Sequence, residues 1–170
     1  RNGDLLEVRT TKGRYVAKAV LLAIGRRGTP RKLGVPGEEL PKVTYRLSDP
    51  VQYRGMNVLV VGGGDSALES AVTVSEQPDT TVTLSYRSAA FNRAKRRNRQ
   101  RLEEAAASGR VNILLESNVT KIGPTEVELE QRGEVLRIAN DANIVNAGGI
   151  LPTPLLKSVG IEVETKFGTR

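Results

Sequence analysis

One stretch, Asn57–Glu69 (NVLVVGGGDSALE), limits what this chain can fold into more than any other. Asn57-Val58-Leu59-Val60-Val61 is a short apolar run of the kind that forms a strand buried on both faces. It runs directly into Gly62-Gly63-Gly64, and Asp65-Ser66-Ala67-Leu68-Glu69 opens a helix-like segment. Gly62, Gly64 and Ala67 stand at the spacing G-x-G-x-x-A, and each position has a mechanical task. Gly62 allows the chain to turn sharply out of the strand. Gly64 brings no side chain between the backbone and a ligand. Ala67 lets the helix lie close on the strand. A helix start with exposed N–H groups and a favourable dipole attracts phosphate, so the spacing reads as a dinucleotide fingerprint. A ligand-free strand-to-helix turn would share the glycines, but here strand, turn and helix follow in the order the fingerprint requires.

The flanking sequence extends this unit. Apolar Leu68, Ala71, Val72 and Val74 mark a helix over residues 65–77, which Pro78 stops. Thr81–Tyr86 is β-branched and strand-like, residues 92–107 favour helix and end at Gly109, and Val111–Leu115 is a third strand. The result is a βαβαβ half-fold with a parallel sheet, an α/β Rossmann-like class. Val119–Ile122, Thr125–Glu130 and Glu134–Ile138 alternate in polarity around turns at Gly123-Pro124 and Gln131-Arg132-Gly133. They read as a three-stranded antiparallel meander covering one side of the parallel sheet. Asn143–Asn146 returns as a short strand.

Upstream, Asp4–Arg9 and Arg14–Ala19 read as a hairpin, and Val20–Ile24 as a buried-type strand. Residues 25–56 are rich in glycine and proline, and Ser48-Asp49-Pro50 caps a short helix ending at Gly55. Ala23–Pro30 and Ala147–Pro154 both read A-x-G-x-x-x-x-P after an apolar strand. The echo points to two chain crossings between this domain and a neighbour, dividing the chain at 1–24, 25–150 and 151–170.

Composition excludes several chemistries. With 170 residues the chain supports one well-cored domain with attachments, and no apolar run reaches membrane-spanning length. The chain begins at Arg1 and has one methionine, Met56, so a fragment of a longer protein is expected. Cysteine and histidine are both absent, which removes a disulfide, a thiolate nucleophile, the commonest general base and the commonest metal ligand. Redox chemistry must then come from a bound cofactor, and a cytoplasmic setting fits.

The net charge of +7 is local: Arg87–Arg101 holds seven basic residues and no acid, leaving 19 basic against 19 acidic residues elsewhere. In NAD binders an acid about 20 residues past the glycines holds the ribose 2′-hydroxyl. Here the second strand ends Leu84-Ser85-Tyr86-Arg87, without an acid, and Arg93 follows. Guanidinium forks suit a dianionic 2′-phosphate, so Arg87 and Arg93 point to NADP(H). Ser85 can add a hydroxyl contact, and Tyr86 or Arg87 can cover the adenine. Lys95–Arg101 reads mainly as a solvated helix face. A phosphate-backbone stripe for nucleic acid is the rival, disfavoured because the only nearby aromatics are Tyr86 and Phe91.

Leu21–Gly25, Val35-Pro36-Gly37-Glu38-Glu39, Gly62–Glu69, Tyr86-Arg87, Phe91–Arg93 and Ala147-Gly148-Gly149 together cover nearly the whole chain. In this combination the chain resembles the NAD(P)H-binding domain of the thioredoxin-reductase-like FAD-dependent pyridine nucleotide oxidoreductases. The resemblance implies that Gly62, Gly63, Gly64, Asp65, Ser66 and Ala67 hold the pyrophosphate. It also implies that Arg87 and Arg93 take the 2′-phosphate, and that Glu69, Ala147, Gly148 and Gly149 border the nicotinamide. Residues 1–24 and 151–170 would be stubs of an FAD domain whose own fingerprint is not in this chain. The C-x-x-C that thioredoxin reductases carry before the fingerprint is missing from Lys42–Arg54, so disulfide reduction by this domain is excluded. The usual basic triplet after the second strand is reduced to Tyr86-Arg87-Ser88.

The expectation is an NADP(H)-binding domain that delivers hydride from NADPH to a flavin in a neighbouring domain, with no catalytic residue and no metal of its own. Its partners would be the FAD domain of the same polypeptide, an unknown electron acceptor and, through unpaired apolar strand edges, a second copy of the chain. The alternatives are a nucleotide-sensing or nucleic-acid-binding module using residues 87–101, or part of a flavin monooxygenase.

Overall fold

In the computed structural model, which describes residues 5–23 and 29–164, the organising strand occupies Asn57–Val61. The first elements are the hairpin β1 (Leu6–Thr10) and β2 (Gly13–Ala17), followed by the two-residue strands β3 (Thr29–Pro30) and β4 (Val43–Thr44). Next come a 3-10 turn at Pro50–Tyr53, β5 (Asn57–Val61), α1 (Asp65–Ser75), β6 (Thr81–Tyr86), α2 (Arg96–Ala107) and β7 (Val111–Leu115). The meander is β8 (Ser117–Ile122), β9 (Glu126–Gln131) and β10 (Glu134–Ala139). The chain returns through β11 (Ala142–Val145) and β12 (Gly149–Ile150) to α3 (Thr153–Ser158).

Five strands form a parallel sheet in the order β4-β11-β5-β6-β7. Side-chain alternation along β5 divides the core into two halves. Val58 and Val60 point with Val82, Leu84, Val111 and Ile144 into the face covered by α1 and α2, where Leu68, Ala71, Leu102 and Ala105 pack. Leu59 and Val61 point to the other face, against Val119, Ile122, Val127 and Leu129 of the meander. The molecule is thus a helix layer, a parallel sheet and an antiparallel sheet. A parallel sheet needs both faces covered, and the meander supplies the second cover.

The three strands of the half-fold and the meander fall within a residue or two of their sequence positions. Asp49 caps the 3-10 turn, accepting from the Val51 N–H at 3.0 Å, with proline at the helix start. Three expectations need correction. The helix expected to end at Gln77 stops at Ser75, where the Glu76 N–H turns back to Val74. The second helix begins at Arg96 rather than Asn92, because Asn92–Lys95 is a turn tied to α1. Val20–Ala23 forms no strand, and Leu21 is 92% exposed: an apolar run is a strand only when a sheet receives it. Asp4, Ile24 and residues 165–170 lie outside the described residues, as do Gly25–Gly28 of the first echo.

The described ends of the two echo segments lie side by side. β3 and β12 pair antiparallel, Gly149 with Pro30 and Ile150 with Thr29, and the Arg31 N–H donates to the Gly148 carbonyl at 3.0 Å. No helix among the described residues is long and apolar enough to cross a membrane.

Candidate functional site

The β5–α1 turn shows why its glycines are glycines. Gly62 has φ +146°, and a Cβ there would fall 2.5 Å from the Asn146 carbonyl oxygen and 3.0 Å from the Ala67 Cβ. Both strand-end and helix crowd this one position, so Ala67, itself fully buried, is as large as the contact allows. A Cβ on Gly63 would sit inside the Tyr86 ring, at 2.2 Å. A Cβ on Gly64 would meet nothing within 4 Å. That open space lies at the N-cap of α1, where no side chain caps the helix. An uncapped helix start beside open space is a ready place for a phosphate, and the one acid in its first turn, Asp65, is turned to the start of α2.

The space belongs to a cleft of about 470 Å³ along the carboxyl ends of β5, β6 and β11, the edge at which open α/β sheets bind ligands. Gly62, Gly63, Gly64, Ser85, Tyr86, Arg87, Arg93, Ala147 and Gly148 all line it. Arg87 and Arg93 are exposed, and among the described residues no carboxylate lines the cleft. The Tyr86 ring is stacked on Phe91, with centroids 5.3 Å apart and planes at 12°. It is held between Phe91 and the Gly63 backbone, so of the two candidates for covering an adenine, Arg87 is the free one.

The remaining expected residues sit elsewhere. The Asp65 carboxylate accepts from the Lys95 N–H and from Asn98 Nδ2, both at 2.8 Å, and Asn98 Nδ2 also reaches Glu69 Oε1 at 2.7 Å. The Lys95 N–H first, then the Asn98 amide, hold the Asp65 carboxyl below its ordinary pKa. Both acids therefore fasten α1 to the start of α2. Ser66 is exposed and Ala67 buried, and neither they nor Gly149 line the cleft. The Ser85 hydroxyl is engaged with Ser117 Oγ at 2.7 Å, and Ser117 donates to the Leu114 carbonyl at 2.7 Å.

The cleft also has walls that motif reading missed: Arg31, Lys32 and Leu33 on one stretch, Ser117, Asn118 and Val119 on another, and Asn146. A signal for the first was present. Residues 8–37 carry eight basic side chains and no acid, a run hidden when the charge outside Arg87–Arg101 is counted as a whole. Glu38 fixes this stretch. Its carboxylate accepts from the Leu33 N–H at 2.6 Å, the Gly34 N–H at 2.7 Å and the Tyr45 hydroxyl at 2.9 Å. Burial pushes its pKa up, but those donors and the nearby Lys32 charge outweigh burial and leave it lowered.

A doubly covered parallel sheet, a glycine turn opening α1 and a cationic cleft at the strand ends define an α/β domain of the Rossmann-like class. A family profile described as pyridine nucleotide-disulphide oxidoreductase matches residues 1–167, and the chain belongs to that family. Among curated proteins it is 32% identical over 172 residues to a ferredoxin–NADP reductase of Ignicoccus hospitalis, covering 98% of this chain and 55% of that protein. A thioredoxin reductase of Mycolicibacterium smegmatis is 36% identical over 112 residues, covering 64% of this chain and 34% of that one. The bacillithiol disulfide reductase Bdr of Staphylococcus aureus superposes with a TM-score of 0.88 at 27% identity, covering 96% of this chain and 50% of that structure. The chain spans about half the length of the curated relatives that it matches over nearly all of its own length. These relatives are named as oxidoreductases, two of them after NADP or thioredoxin.

Proposed function

We propose that this chain is the NADP(H)-binding domain of an FAD-dependent reductase, holding NADPH so that its nicotinamide meets a flavin carried by another part of the polypeptide. The observation that carries the reading is one cleft lined by the glycine turn, Arg87 and Arg93 and, among the described residues, by no carboxylate. The backbone at Gly63 and Gly64 would receive the pyrophosphate, and the guanidinium groups at the end of β6 the 2′-phosphate. The Ala147-Gly148 turn at the end of β11 would border the nicotinamide half. NADPH, when bound, supplies a hydride; this chain's residues bind and orient it, and none need act as acid or base.

In the same reading the segments outside the two crossings belong to the FAD domain. The exposure of Leu21, Ile150, Leu151, Leu155 and Val159 supports this, because such side chains belong against a partner surface. The electron acceptor would be a matter for that domain and its surroundings. Arg87→Ala tests the cofactor assignment by calorimetry. NADPH affinity should fall about 10- to 100-fold while NADH affinity stays within about two-fold. Equal losses for the two would remove the 2′-phosphate role.

A further inference from the structure

The cleft has a second cationic lip that the glycine turn and the β6 arginines do not account for. Arg31 and Lys32 line it from the segment that follows β3, and both are exposed. This lip is fixed at each end. The Arg31 N–H is bonded to the Gly148 carbonyl at 3.0 Å. Beyond Lys32, both Glu38 oxygens grip the Leu33 and Gly34 N–H groups, and Leu33 packs with Val61 and Val119 on the meander face.

Its position along the cleft follows from the sheet order, in which β5 lies between β11 and β6. Arg31 is tied to Gly148, just past the end of β11. Asn146, two residues earlier, has its carbonyl oxygen against Gly62 at the end of β5. Arg87 and Arg93 lie on the other side, past the end of β6. A dinucleotide reaching from β6 to β11 would lay its 2′-phosphate by Arg87 and its pyrophosphate over the β5 turn. The meander-side lip stands across from that turn, and the turn leads into α1 on the helix face.

We propose that Arg31 and Lys32 clamp the pyrophosphate from the meander side of the cleft, a role that rests on the functional reading above. The helix start and glycine backbone offer neutral N–H donors to a group carrying two negative charges. The lip supplies the matching positive charge; its nearest carboxylate, Glu38, is buried and turned onto the Leu33 and Gly34 N–H groups and is not among the described residues that line the cleft. Because the pyrophosphate is common to both nicotinamide dinucleotides, this lip adds affinity without choosing between them. Arg87 and Arg93 carry the choice.

The test is the doubly neutralised variant Arg31→Gln/Lys32→Gln of the 170-residue chain, titrated with NADPH, NADH and 2′-AMP, which has no pyrophosphate. Both dinucleotides should bind about ten-fold more weakly, by the same factor, with a shallower salt dependence, while 2′-AMP binding is unchanged. The charge-preserving Arg31→Lys/Lys32→Arg variant should keep most of the wild-type affinity. Wild-type affinity for both dinucleotides in the neutralised variant would overturn the clamp alone. So would a loss confined to NADPH and shared by 2′-AMP, which would assign the lip to the 2′-phosphate. A wild-type chain that binds neither dinucleotide would overturn the functional reading and the clamp with it.

Discussion

Glu38 shows how much one buried carboxylate can organise. It satisfies two successive backbone N–H groups and a tyrosine hydroxyl, tying down the loop that carries Arg31 and Lys32 to the cleft. The neighbouring Gly37 is equally constrained, with φ +83° and a missing Cβ that would lie 1.8 Å from the Ile122 carbonyl oxygen. The Glu38 carboxyl is held below its ordinary pKa in the folded chain, so it contributes stability that is present above the unfolded-state value, about 4.3. That contribution is lost as pH falls below this value and through the folded one. In Glu38→Gln the unfolding midpoint should be lower at pH 7 and should fall less steeply between about pH 4.5 and 3 than in the wild type. Parallel curves for the two proteins would show that the carboxylate charge does not hold the loop. Nothing in the sequence V-P-G-E-E distinguishes Glu38 from the exposed Glu39. The distinction arises when Leu33 and Gly34 fold back onto the first acid and Tyr45 closes over it.

At the scale of elements, α1 and α2 meet at their starting ends through Asn98. Its one amide nitrogen serves both Asp65 and Glu69, and the Asp65 carboxylate takes the place of the side-chain cap that α2 lacks. An anion at a helix start also suits the helix dipole. Asn98→Ala should lower the melting temperature by about 2–4 °C and loosen the Phe91–Lys95 turn, which hydrogen exchange at Ala94 and Lys95 would detect. Unchanged exchange there would mean that the tie is incidental. This linkage was not legible beforehand, since it joins residues 33 positions apart. The strands were, because β5, β6 and β7 are apolar or β-branched runs bounded by glycine or proline, and local sequence alone marks them. β3, β4 and β12 were not. Each has two residues and exists only because a distant strand pairs with it. The apolar run Val20–Ala23 fails for the converse reason, having no strand beside it among the described residues.

Over the whole molecule, the candidate site residues collect at one edge of a three-layer stack. The helices and the meander cover the two faces of the parallel sheet, and the cleft opens where the carboxyl ends of its central strands meet the segments that follow β3 and β11. That Gly62–Gly64, Arg87 and Arg93 share a cleft was legible because their spacing carries its own mechanics. Ser117–Val119 and Asn146 were not, since only folding brings the meander and the end of β11 to that edge. The positive charge follows the same geometry: among the described residues, Arg31, Lys32, Arg87 and Arg93, from two separated basic stretches, become four cations around one cleft that no acid lines. The central claim is that this arrangement selects a dinucleotide bearing a 2′-phosphate, and calorimetric titration of the unmodified chain with NADPH and NADH tests it most directly. The account predicts NADPH binding at least about ten-fold tighter than NADH, a gap that narrows as salt is raised; equal or tighter binding of NADH would contradict it.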